Sequence, residues 1–169
     1  MIRPIVKYGE APLHRQAEAI HNITADIAAL ARDMVETMYA APGIGLAAPQ
    51  VGAPIRLIVI DLSLGHDPKG LITLVNPEFV EREGMQLEEE GCLSLPGYNA
   101  TVARPERATI KGLDLEGRER FYTGDGLLAR AFQHELDHLD GRVFVDRLRG
   151  IKRDLIVRRI RKQIRSGKW

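Results

Sequence analysis

The chain has a single cysteine, Cys92. No internal disulfide can form, so the fold must rest on a core, and a reducing compartment is its natural setting. Aromatic residues are also scarce, at 5% of the chain, and no recognised RNA-binding signature is present. Both absences count against a surface built to stack bases on rings. Long apolar runs are missing too. The candidates, such as Leu57 to Ile60, are strand-sized, far below the roughly 20 residues of a membrane-crossing helix. Neither a membrane nor DNA is an expected partner. The N-terminal Met1-Ile2-Arg3-Pro4-Ile5 lacks the apolar stretch of a secretory signal. Cytoplasmic residence is therefore the expectation, with a mature organellar form as the alternative.

What is present fits one globular domain over residues 1–169, with 44% apolar and 28% charged residues. That length can bury a core without staples. The net charge of +1 hides an asymmetry: from Arg147 to Trp169 there are ten Lys or Arg and one acid, Asp154. The body is acidic and the tail basic.

Ile27, Leu30, Ala31, Met34, Val35 and Met38 form one apolar stripe at helical period, which predicts a helix over Ala25–Ala41. Thr24 can cap it, and Pro42-Gly43 stops it. Arg56 to Leu62 and Leu71 to Val75 read as strands, the second interrupted by Asn76-Pro77. Phe79 to Glu90 and Thr101 to Leu115 are also strand-like, with Gly84, Gly97, Gly112 and Gly117 marking turns or bulges. A second helix is expected from about Gly126 to Asp140, capped by Asp125 and ended by Gly141. In the tail, 147–169, Leu148, Ile151, Leu155, Ile156, Ile160 and Ile164 supply the apolar side of an amphipathic helix. The order of elements predicts an α+β fold, with antiparallel or mixed sheets around a central metal-binding helix, an N-terminal helix and a C-terminal amphipathic helix.

The sharpest motif is His134-Glu135-Leu136-Asp137-His138. A spacing of four puts both imidazoles on one helix face, where they can share an ion. Glu135 sits close enough to serve a water held there without itself being a ligand, an arrangement suited to metal-assisted hydrolysis. The bland alternative is a surface helix that happens to carry two histidines. A catalytic site usually takes three protein ligands. One family with this motif supplies a third histidine where this chain has Phe144, which cannot ligate; the later acids Asp146 and Asp154 sit beside the basic tail. Cys92, in Glu90-Gly91-Cys92-Leu93-Ser94, would complete a Cys-His-His set, although the long stretch between Cys92 and His134 imposes no geometry.

Three segments in order resemble the peptide deformylase family, of the bacterial type with a helical C-terminus. These are Gly43-Ile44-Gly45-Leu46-Ala47-Ala48-Pro49-Gln50, Glu90-Gly91-Cys92-Leu93-Ser94, and Gln133-His134-Glu135-Leu136-Asp137-His138-Leu139-Asp140-Gly141. The resemblance covers nearly the whole chain. It implies an enzyme that hydrolyses the N-formyl group from the terminal methionine of new polypeptides, releasing formate. It implies that Cys92, His134 and His138 hold one divalent ion, Fe(II) characteristically, with zinc, nickel and cobalt also suited to these donors. Glu135 is then the proton carrier, and the Gln50 side chain and Leu93 backbone N–H steady the oxyanion. The resemblance also implies a substrate site containing Gly43, Ile44, Gly45, Leu46, Glu90 and Gly91, with Arg104 near its outer part. Leu127, Arg130 and Ala131 share the face of His134 and are expected to line a methionine slot, the Arg130 stem against it and its charge turned to water. Docking to the ribosome through the basic tail is a further implication, and the loss of residues 158–169 is expected to spare hydrolysis of a short peptide.

Two other readings compete. A zinc endopeptidase would use the same histidine pair on internal peptide bonds. A basic RNA-binding module with a structural metal would explain the tail, and would lose its fold on chelation.

Overall fold

The computed structural model describes residues 1–169. Its elements run α1 (Ala25–Ala40), β1 (Gly45–Ala47), β2 (Leu57–Ile60), β3 (Ile72–Glu83), β4 (Gln86–Gly91), β5 (Asn99–Arg104), β6 (Arg107–Leu113), β7 (Glu119–Asp125), α2 (Gly126–Leu139) and α3 (Ile151–Arg165). Five strands form one sheet in the order β1-β2-β3-β6-β7, and β4 pairs only with β5 in a separate two-stranded sheet. Every ladder is antiparallel; the sole parallel contact is an isolated bridge from Glu18 to Ile55. The α+β expectation holds, in its antiparallel form.

Strand β2 shows how the layers are made. All four of its residues are buried, because alternate side chains enter different cores. Ile58 and Ile60 join Ile72, Leu74, Ile110, Phe132 and Leu136 on the α2 side. Leu57 and Val59 join Leu30, Met34, Met38 and Val75 on the α1 side. The stripe read from the sequence is thus the buried face of α1, and Thr24 Oγ1 accepts from Ile27 N at its start. A third cluster joins Leu95 and Val102 to Phe144, Leu148 and Ile160, holding β5 and α3 together.

Several boundaries differ from expectation, each for a local reason. Asn76-Pro77 does not end its strand. Asn76, at φ 51°, bonds both the N–H and C=O of Ile20, and β3 continues past a register shift between Val75 and Glu78. Pro77 can donate no ladder bond, and a bulge accommodates it. Asp125 makes no side-chain cap at α2; its carboxylate instead accepts from Arg107. The C-terminal helix begins at Ile151, not Arg147, because Phe144–Arg147 forms a separate 3-10 turn and Gly150 intervenes. Its packed side is narrower than expected: Leu148, Ile156 and Ile160 pack on the third cluster as read, Val157 is buried too, and Ile151, Leu155 and Ile164 are exposed. No helix is long and apolar enough to cross a membrane.

Candidate metal centre

Ten of the fourteen residues of α2 are buried, and five of those ten are polar or charged: Arg130, Gln133, Glu135, Asp137 and His138. Buried polar groups need partners; those of Arg130, Asp137 and His138 converge on one region, whereas Glu135 Oε1 and His138 Nδ1 have none. The C-terminal end of α2 is fixed by Arg56, which donates to Leu139 O at 2.9 Å and to Asp140 at 3.0 Å. A cation at that end also suits the helix dipole.

One turn of α2 brings His134 Nε2 and His138 Nε2 to 3.1 Å. Cys92 Sγ, from the turn after β4, lies 3.4 Å from His138 Nε2, and the three ligand atoms fall within 4.8 Å of one another. Bond lengths of about 2.0 Å to nitrogen and 2.3 Å to sulfur put tetrahedral neighbours roughly 3.3 to 3.6 Å apart. The spacing therefore fits a shared cation. Glu90 Oε2 lies 2.7 Å from His134 Nδ1 and accepts its proton, leaving the Nε2 lone pair aimed at the same point. Two imidazoles and a soft thiolate are a donor set for a transition metal.

Charge around the centre is layered. Arg104 donates to both Glu90 oxygens, at 2.7 and 2.6 Å, and to Asp137 at 3.0 Å. Arg147 clasps Asp137 from the other side. Burial alone would raise the Glu90 carboxyl; the bonds from His134 and Arg104 overcome it and hold it well below the usual carboxylate range. Glu135 has no such donors. Burial is what pushes its carboxyl up, to about 7, and its Oε1 has no hydrogen-bond partner. A carboxyl balanced near neutrality can both take and return a proton.

A cavity of about 380 Å³ opens over this centre. Ile44 and Gly45 form one wall, Glu89 to Leu93 another, and Leu127, Arg130, Ala131 and His134 the floor along α2. Gln50 is buried at its inner end. Its Oε1 accepts from Ala47 N at 3.0 Å, which turns Nε2 toward Ser94 Oγ at 3.1 Å and Cys92 Sγ at 3.7 Å. The Leu93 N–H makes no backbone hydrogen bond and is available as a donor. Gly43 permits this crowding, since a Cβ there would come within 2.7 Å of Leu93 Cδ1.

The structure thus brings together Cys92, His134, His138, Glu135, Gln50, Leu93, Gly43, Ile44, Gly45, Glu90, Gly91, Leu127, Arg130 and Ala131. Three expectations need correction. Arg104 is not at the outer part of the cavity; it is 3% exposed, because its charge is spent on Glu90 and Asp137. Leu46 does not face the cavity; strand alternation turns it into the α1-side core, fully buried. The Arg130 guanidinium does not reach water; it is buried on Gln86, Glu90 and the Val102 carbonyl. Sequence reasoning gave no role to Ser94, Asp137 or Arg147. The first two lie inside the quoted motifs, where their small or acidic side chains were the available signal; Arg147 offered none.

The sequence profile described as polypeptide deformylase matches residues 2–154. The chain is 52% identical over 169 residues to a peptide deformylase of Acidobacterium capsulatum, covering 100% of this chain and 99% of that one. It is 51% identical over 154 residues to one of Thermodesulfovibrio yellowstonii, covering 91% and 93%. A crystal structure of a peptide deformylase from Legionella pneumophila superposes with a TM-score of 0.91 at 43% identity, covering 99% of this chain and 98% of that one.

Proposed function

The chain belongs to the polypeptide deformylase family, enzymes that remove the N-formyl group from nascent polypeptides, and from that premise we propose how its own residues divide the work. Cys92, His134 and His138 hold one divalent cation, Glu135 carries the proton, and Gln50 with the Leu93 N–H receives the developing negative charge. The observation that carries this reading is the convergence of two Nε2 atoms and one thiol beside a buried carboxylate oxygen with no partner.

When bound, the cation supplies Lewis acidity, favouring ionisation of water and polarising a carbonyl oxygen. Fe(II) is the ion we propose natively, with zinc, nickel or cobalt able to use the same donors. Glu135 takes the proton of the attacking water. Charge then develops on the former formyl oxygen. The free Leu93 N–H donates to it, and Gln50 Nε2, oriented by the Ala47 N–H, does so by exchanging one of its bonds to Ser94 Oγ and Cys92 Sγ. Preorganised donors of this kind are each worth about 3 kcal/mol of barrier. Glu135 returns its proton to the leaving amine, and formate and a free N-terminus result.

The methionine side chain lies along Leu127, Ala131 and the Arg130 stem, while the peptide backbone runs beside Ile44 and Gly45. Strand β1 is an edge of its sheet, and an edge strand offers free backbone groups to an extended peptide. The exposed cations of α3, Arg158, Arg159, Arg161, Lys162 and Arg165, are proposed to dock the enzyme on the ribosome. Action in the cytoplasm fits a site that needs a reduced thiol.

An endopeptidase reading finds no support: Phe144 is fully buried in the third core cluster, away from any ligand role. Incubating the metal-loaded enzyme with a formyl-methionyl peptide and its unformylated twin tests the proposal. Release of formate from the first, with every internal bond of both intact, is expected. Internal cleavage, or unfolding on chelation without any formate release, contradicts it.

A further inference from the structure

The β4–β5 hairpin carries one wall of the cavity, yet no ladder hydrogen bond joins it to the five-stranded sheet. Apart from its short chain connections to β3 and β6, its position relative to α2 is set by side chains. One residue makes that connection to both of its strands. Arg130 of α2 donates Nε to Gln86 Oε1 at 3.1 Å and Nη1 to Glu90 Oε1 at 2.8 Å, both on β4. Its Nη2 donates to the Val102 carbonyl of β5 at 2.8 Å. The side chain is 4% exposed, so these are dry, charge-assisted bonds, the strong and geometrically demanding kind. The planar fork reaches three acceptors at once, which a lysine cannot do.

We infer that Arg130 is a positioning residue that sets the width of the methionine slot by tethering the β4–β5 hairpin to α2. The inference rests on the slot reading above. Its floor is the Arg130 stem; its side is the hairpin that the guanidinium holds. Glu90 keeps Arg104 and His134 as partners without Arg130, so the orientation of His134 should survive the loss of the tether. The effect is then on substrate fit more than on the chemical step.

Two variants separate fit from folding. Arg130→Met retains an apolar stem on the floor and removes all three tethers. Gln86→Leu cuts the hairpin from α2 at one end, removing the bond from Arg130 together with those that Gln86 Nε2 donates to Gly126 O at 2.9 Å and Pro105 O at 3.2 Å; Gln86 does not line the cavity over the metal centre. The readout is kcat/KM for formyl-methionyl and formyl-phenylalanyl versions of one peptide, with bound metal and thermal midpoint measured alongside. Arg130→Met is expected to keep its metal, to raise KM for the methionyl peptide more than it lowers kcat, and to reduce the methionyl preference about tenfold, within the range commanded by pocket fit. Gln86→Leu should move the same ratio in the same direction by less. A lower midpoint with an unchanged ratio in Gln86→Leu and in whatever Arg130→Met protein folds would overturn the inference, leaving Arg130 a stabilising residue only. Equal handling of the two peptides by the unmodified enzyme would instead strike the slot reading itself.

Discussion

Glu135 can lie where it does because residue 45 is glycine. An ideal Cβ on Gly45 would stand 2.5 Å from Glu135 Oε2, closer than real side chains approach. The first motif therefore does more than line the proposed peptide path: its second glycine leaves room for Glu135, the proposed proton carrier, in the third. Gly45→Ala must push the Glu135 carboxylate aside. Misplacement on the order of 1 Å can cost about 10²-fold in rate, and kcat for a formyl peptide is expected to fall by that much while bound metal stays at the unmodified level. Normal turnover in that variant would mean that the observed position of Glu135 is not the working one.

Glu135 is buried beside the three proposed ligands and outside the set assigned here, and its Oε1 has no partner. Glu135→Ala should keep the metal and lose turnover by roughly 10²- to 10⁴-fold, the usual worth of a positioned acid–base group. Metal analysis and single-turnover kinetics on the same preparation check this. A metal-free variant would reassign Glu135 to the coordination sphere.

The floor of the proposed methionine slot combines Leu127 and Ala131 with the stem of a fully bonded arginine. With the Arg130 guanidinium already satisfied, no free cation there can welcome an acid. A carboxylate would be desolvated without compensation, so formyl-aspartyl peptides should show a far lower kcat/KM than formyl-methionyl ones. Comparable values would mean that the side chain of the formylated residue lies elsewhere.

The tail needs a different probe from the one its charge suggests. Removing residues 158–169 would strip away Ile160, which is fully buried, and Trp169, whose Nε1 donates to Tyr8 O at 2.9 Å. Tyr8 N in turn bonds Ser94 O beside the metal centre. Truncation should therefore damage hydrolysis as well as docking, contrary to the simple reading of a detachable helix. Charge reversal at the exposed Arg158, Arg161 and Arg165 leaves that packing alone. It is expected to weaken ribosome binding and flatten its salt dependence, because fewer counterions are released, with little change in the hydrolysis of a short peptide. Affinity and salt slope equal to those of the unmodified enzyme would leave the basic face merely solvated.

How far the sequence was legible follows from how local each signal was. The metal pair sits at helical spacing inside one element, between Gly126 and Gly141, and could be placed by eye. Strand β7 went unread because it is an edge strand with a single buried residue, Gly124, and shows no apolar alternation. Strand β1 is three residues long and begins with glycine. Arg104 and Arg130 were misjudged because their partners are distant in sequence: Glu90 for both, with Asp137 for one and Gln86 and Val102 for the other. An isolated arginine in a sequence reads as a surface charge, and only the folded chain reveals a buried anion waiting for it. In the tail, Ile156 and Ile160 do pack on the cluster of Phe144 and Leu148, while the adjacent Val157, outside the apolar stripe that was read, is buried as well and Ile164 is exposed.

The most direct test concerns the third ligand, since the histidine pair alone would suit several kinds of hydrolase. Protein prepared without oxygen should contain one equivalent of divalent metal per chain and release formate from a formyl-methionyl peptide. Metal content measured on Cys92→Ser, His134→Ala and His138→Ala, prepared the same way, should fall sharply in all three, together with formate release. Full metal content with undiminished formate release in Cys92→Ser would contradict the account at its centre, because Cys92 would then be a bystander and the cation would be held by something other than the set assigned here.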